Sequence, residues 1–188
     1  KAYNQLGASE YSAIYQFSTG SGFYVDAING NNSTGDGSQS NPWKTITRAL
    51  EQMSGMGQYT IHVAAGTYNT ALGEIFPLLM VDSVSLIGAG SNVTIIDAES
   101  SNTVIKCIGI LDSNTSLEGF TITNGKSPST SAAGGIYVSS GSTLRIINNK
   151  ITANQSELPA SGGAIYILNA SPMIGNNLIT YNHGQVIN

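Results

Sequence analysis

Charge is scarce in this sequence. Only 10% of its 188 residues are Asp, Glu, Lys or Arg, against ~25% in an ordinary soluble domain. Seven basic residues stand against eleven acidic ones, for a net charge of −4, and no basic run exists that could neutralise phosphates. Nucleic acid is thereby excluded as a partner class. Long apolar stretches are missing as well. The run from Ile75 to Val81 carries a proline and stops after a few residues, far short of the ~20 that a membrane-spanning helix needs. Cysteine is almost absent: Cys107 is the only one, which rules out an internal disulfide. Set in Val104-Ile105-Lys106-Cys107-Ile108, it reads as a buried, inert thiol rather than a nucleophile. Neither an initiator Met nor a signal peptide stands at Lys1, so the sequence reads as a piece of something longer.

What fills the gap is Gly, Ser, Asn and Thr, the composition of many short strands joined by tight turns. With 40% hydrophobic residues and modest net charge, the chain is not of the disordered class. One short amphipathic helix is predicted over about 43–54. Asn41 is placed to cap it, Pro42 fits its first position, Ile46, Ala49, Leu50 and Met53 form one apolar face, and Gly55 and Gly57 end it. Strand-like segments surround it: Phe23 to Asp26 before, then Ile61 to Tyr68, Val84 to Gly90 and Val93 to Asp97 after.

A repeat decides between sandwich and solenoid. Leu117-Glu118-Gly119-Phe120-Thr121-Ile122-Thr123-Asn124 matches Ile146-Ile147-Asn148-Asn149-Lys150-Ile151-Thr152-Ala153, and again Ile174-Gly175-Asn176-Asn177-Leu178-Ile179-Thr180-Tyr181. Ile122, Ile151 and Ile179 are equivalent, 29 and 28 residues apart, and Gly119, Asn148 and Asn176 keep the same spacing. A fixed period in the twenties, with strands and no helix, marks a parallel β-solenoid. The predicted fold class is all-β: a right-handed parallel β-helix with three short strands per coil and a short N-terminal capping α-helix. In one coil the strands are expected near 135–138, 143–147 and 150–152. Coils stack ~4.8 Å apart, so like residues form ladders. Val63, Leu86, Ile122, Ile151 and Ile179 are expected inside, with Asn and Gly at corners that need left-handed backbone.

Two resemblances extend this reading. Residues 1–20, with Ile14-Tyr15-Gln16-Phe17-Ser18-Thr19, resemble the last two strands of a fibronectin type III domain; an arm packing along the solenoid is the alternative. Residues 21–188 form the β-helix region. Within it, the Gly35-Asp36-Gly37 loop, Asn41-Pro42-Trp43-Lys44-Thr45-Ile46 and Ala65-Gly66-Thr67-Tyr68 resemble the start of the pectate-lyase-like β-helix superfamily, and within it a bacterial and archaeal group of unknown function. The resemblance implies that the helix covers the open N-terminal end of the solenoid. It implies little about activity, because that superfamily hosts lyases, hydrolases, epimerases, adhesins and surface proteins.

A polysaccharide lyase of this fold needs acidic residues for calcium beside a Lys or Arg base. Asp82, Asp97 and Asp112 are not spaced by the coil period, and Lys106, Arg145 and Lys150 read as strand-face charges. A glycoside hydrolase would carry clustered aspartates and a Gly-His-Gly element; only Asn182-His183-Gly184 is similar. No catalytic residue is therefore assigned. His62, in an apolar strand, reads as a hydrogen-bonded structural histidine. Asp26, Asn29 and Asp36 offer oxygen donors that suit calcium, although their spacing equally makes a Gly/Asn turn. Tyr137 and Tyr166 occupy equivalent positions on neighbouring coils, as a stabilising ladder or a surface for glycan stacking. Asn31, Asn32, Asn92, Asn114, Asn154 and Asn169 fall in Asn-x-Ser/Thr sequons.

The function expected is a non-catalytic β-helix module of a secreted or cell-surface protein, structural, adhesive or contacting a polysaccharide or cell-surface glycan. The alternative is part of a lyase or hydrolase of acidic polysaccharide, with its catalytic coils mostly beyond residue 188. Self-association is expected through an open C-terminal coil or through the N-terminal arm at 10–19.

Overall fold

Three-residue strands with alternating burial cannot stand alone; they become stable only when the same element repeats beside them. The computed structural model, which describes residues 22–109, 111–129, 132–156 and 161–184, shows that repetition. A first sheet runs through Gly22–Val25, Tyr59–Val63, Val84–Gly88, Ser116–Glu118, Arg145–Ile147 and Met173–Gly175. A second runs through Gly66–Tyr68, Thr94–Asp97, Thr121–Thr123, Lys150–Thr152 and Leu178–Thr180. A third joins Leu78–Leu79, Ile105–Cys107, Ile136–Ser139 and Ile165–Leu168. Every pairing in them is parallel, and each strand pairs with its equivalent one coil away: Ile122 with Ile151, and Ile151 with Ile179. The chain is an all-β parallel β-solenoid. The fibronectin-like reading of residues 1–20 and the N-terminal arm lie outside the described residues.

The inward positions make aliphatic ladders. Ile61, Leu86, Leu117 and Ile146 stack in the first sheet, and Ile96, Ile122 and Ile151 in the second, all fully buried. Each such side chain contributes ~1.5–3 kcal/mol. Val63 and Leu86 are inside as expected. Ile179 holds its place in the ladder, but it lies in the last described coil and is 47% exposed.

The corner between the first and second sheets shows why Asn and Gly recur. Gly119, Asn148 and Asn176 have φ of 79°, 58° and 54°, the left-handed region that Gly and Asn enter most readily. The following residue builds a ladder through the coil. Asn149 accepts from Phe120 N–H at 3.0 Å and donates to the Leu117 carbonyl at 2.9 Å, and Asn177 accepts from Asn149 N–H at 2.9 Å. A second ladder at the far end of the second sheet repeats the scheme with Asn154 and Asn182. Buried amides here satisfy backbone groups that a sharp corner leaves unpaired.

The helix begins later than its local signals suggest. It spans Ile46–Met53 and is capped by Thr45, whose hydroxyl accepts from Arg48 N–H at 3.2 Å. Asn41 and Pro42 belong instead to the preceding loop. Trp43 bridges to Val25, donating to the Tyr24 carbonyl and accepting from Asp26 N–H, and the Pro42 carbonyl accepts from Asn31 N–H. Those pairings hold 42–43 extended. Asn32 holds Thr45 by accepting from Lys44 and Thr45 N–H while donating to the Thr45 hydroxyl. Glu74, one coil away and 4% exposed, accepts from Ile46 N–H at 2.6 Å and from Thr47 N–H at 2.8 Å. Thus a buried carboxylate closes the positive end of the helix dipole. The apolar face of Ile46, Ala49, Leu50 and Met53 packs on the first two strands of the first sheet and on Leu78–Leu79, covering the first coil.

Candidate functional site

The outer face of the third sheet is set by the same alternation that fills the core. Leu78, Ile105, Ile136 and Ile165 point in, so their neighbours Leu79, Lys106, Tyr137 and Tyr166 form one outward ladder in register. The rings of Tyr137 and Tyr166 lie parallel, 6.0 Å between centroids and 7° between planes. Both are half-buried, as is Lys106 one coil before them. At the head of this ladder Leu79 and the exposed Ile75, with Pro77 and Leu50, line a groove of about 410 Å³ against the helix. The arrangement offers flat aromatic surface for the apolar face of a ring, with a cation in line.

The remaining candidate charges do not gather there. Lys106 faces out from the third sheet, Arg145 from the first and Lys150 from the second, on three different faces of the solenoid. The acids are engaged in the turns. Asp82 accepts from Asp112 N–H at 2.8 Å, Asp112 accepts from Asn114 N–H and its amide, and both oxygens of Asp97 accept from the Asn124 amide at 3.0 Å. His183 sits exposed in a short strand paired to Gln155–Ser156. Cys107 is fully buried, and burial pushes its thiol up to about 12, which removes the thiolate chemistry of an accessible cysteine.

In the 26–36 loop the carboxylates organise turns. Asp26 Oδ1 accepts from Ile28 N–H at 2.8 Å and Asn29 N–H at 3.0 Å, and Asn29 donates its amide to Oδ2 at 2.9 Å. Burial opposes ionisation of Asp26, but these donors outweigh it and hold the carboxyl below its ordinary value. Asp36 accepts from Ser38 N–H at 2.9 Å. Among the described residues no group of three His, Cys, Asp or Glu side chains stands close enough to hold a metal ion. Asn154, one of the sequon asparagines, is fully buried with both ends of its amide bonded.

His62, expected to be a hydrogen-bonded structural histidine, has no hydrogen-bond partner among the described residues. Its strand alternates, with Ile61 and Val63 buried and His62 half-exposed on the outer face. Its ring stacks on Tyr24, 5.2 Å between centroids at 26°. Burial lowers its pKa. Strict alternation in Tyr59-Thr60-Ile61-His62-Val63 was the signal that places it outside.

No curated protein matches the chain, and no solved structure does. A family model does match, over residues 28–188, which takes in the helix, every described strand after Gly22–Val25 and both tyrosines of the outer ladder. The chain therefore belongs to the family described as a protein of unknown function, DUF1565.

Proposed function

We propose that this solenoid is a non-catalytic, rigid module of a secreted or cell-surface protein, of the pectate-lyase-like superfamily, and that its third-sheet face contacts an acidic glycan. The observation that carries the reading is the parallel Tyr137–Tyr166 pair in line with Lys106. Two parallel, half-buried rings on adjacent coils suit contact with the apolar face of a sugar ring, and Lys106 suits a uronate carboxylate. A chain of net charge −4 has no general attraction for polyanions, so such binding would have to be local to this ladder. Calorimetry with oligogalacturonate and alginate oligosaccharides, against neutral dextran, tests it. Tyr137→Ala and Tyr166→Ala should each weaken binding about tenfold, and Lys106→Ala should abolish the preference for acidic over neutral sugars. Equal binding by all variants would refute the proposal. Release of unsaturated products in the presence of calcium would favour instead the lyase reading.

Self-association belongs to the same proposal. Ile167, Ile174 and Ile179 expose 43%, 41% and 47% of their surface on the last described coil, where their equivalents one coil back are buried. A second copy of this chain is the proposed partner for that face.

A further inference from the structure

The outer face of the first sheet carries an open groove of about 450 Å³, a size typical of small-molecule sites. It lies over the strands Gly22–Val25, Tyr59–Val63 and Val84–Gly88, beside the loop bearing Gln39 and Pro42. Its lining includes the Tyr24–His62 stack, Ile87, Pro42, Asp26 and Gln39. None of these residues belongs to the tyrosine ladder, which is on a different sheet.

We propose that this groove binds a neutral pyranose unit, with the sugar's apolar face against Tyr24, His62 and Ile87 and its hydroxyls on Asp26 and Gln39. Four features of the lining support that ligand class. The Tyr24–His62 platform has room because residue 22 is Gly: a Cβ there would stand 3.2 Å from His62 Cδ2. The imidazole and the Gln39 amide make no hydrogen bonds among the described residues, so both keep their donors and acceptors for a ligand. Asp26 is fixed by Ile28 and Asn29, and among the described residues its Oδ2 accepts only from the Asn29 amide, leaving acceptor capacity for a hydroxyl. Burial lowers the His62 pKa and so favours the neutral imidazole, which is both donor and acceptor.

Charge separates this site from the first. The lining contains a carboxylate and no Lys or Arg, so a uronate would meet repulsion here, whereas Lys106 favours it on the third sheet. A quaternary ammonium would use the ring and the carboxylate but not Gln39 or the His62 nitrogens. Three N–H donors already offset the Asp26 charge it would need.

The test is a titration of the isotope-labelled full chain, followed by NMR, with methyl β-glucoside, methyl β-galactoside and methyl α-mannoside. Galacturonate and tetramethylammonium serve as contrasting probes. Saturable shifts of the His62 ring and Gln39 amide signals are expected with at least one neutral glycoside. Tyr24→Ala should remove them, Gln39→Ala should weaken binding about tenfold, and Tyr166→Ala should leave it intact. The Gln39 variant alters only an exposed loop side chain, so loss of folding cannot mask the result. Saturable shifts with galacturonate or tetramethylammonium alone, no saturable shift with any glycoside, or binding unchanged in both variants would each overturn the assignment.

Discussion

Glu74 shows how one residue can decide an element that lies a whole coil away in sequence. Its carboxylate accepts from two N–H groups of the first helical turn and from the Thr47 hydroxyl at 2.5 Å. Glu74→Gln keeps the shape but removes one acceptor, and a buried donor left unpaired costs ~1–3 kcal/mol. A fall of that size in unfolding free energy is the expected result in urea titrations. The pH dependence carries a second, separate sign. Burial raises the Glu74 pKa above 4.5, and its Thr47 and Ile46 donors only partly offset this. The stability it adds by binding a proton is full below pH 4.5 and is lost as pH rises through the folded-state value. The wild-type advantage over Glu74→Gln should therefore shrink as pH is raised through that window. An advantage that grows with pH there would mean the three donors, not burial, dominate the carboxyl.

At the scale of elements, the corners carry the specificity and the strands carry the burial. Asn154 is fully buried and ties three coils together: it accepts from Gly125 N–H at 2.8 Å and donates to the Ile122 carbonyl at 2.9 Å and to Asn182 Oδ1 at 3.0 Å. Asn154→Ala leaves backbone groups unpaired where water does not reach, and should cost ~2–4 kcal/mol in denaturant titration. Asn182→Ala, at the half-buried end of the same ladder, should cost clearly less because water can replace the lost amide. Equal losses would show that the ladder gains nothing from burial. These corners were legible in the sequence because the same residue types recur at 28 and 29 residues, and a solenoid converts sequence period directly into contact. The helix start was not legible. Asn41-Pro42 is a valid local cap signal, overridden by the pairing of Trp43 with Val25 and by Glu74, an acid 28 residues beyond the Ile46 it binds. The outer tyrosines followed from the same period as the core. The Tyr24–His62 groove did not, because it depends on how a loop of irregular sequence folds over two strands.

At the scale of the whole molecule, stability in a solenoid is a sum over neighbouring coils, so position along the axis matters more than distance from the surface. The first coil is covered by the helix, and the middle coils are covered on both sides. Among the described residues the last coil has one neighbour: Ile167, Ile174 and Ile179 are each more than two-fifths exposed, while their equivalents Val138, Ile146 and Ile151 are fully buried. Its strands consequently keep one ladder of backbone bonds and lose part of the burial that offsets the cost of ordering them. Local opening there should require less free energy than elsewhere. In hydrogen exchange on dilute protein, amides of Ile165–Leu168, Met173–Gly175 and Leu178–Thr180 should exchange first. The equivalent amides of Ile136–Ser139, Arg145–Ile147 and Lys150–Thr152 should exchange with the global unfolding rate. Raising the protein concentration separates the intrinsic gradient from the proposed self-contact. If a second copy packs on the exposed isoleucines, protection of the last coil should rise with concentration in step with a dimer seen by light scattering. A strict monomer whose exchange gradient is independent of concentration would leave the gradient standing and remove the self-contact.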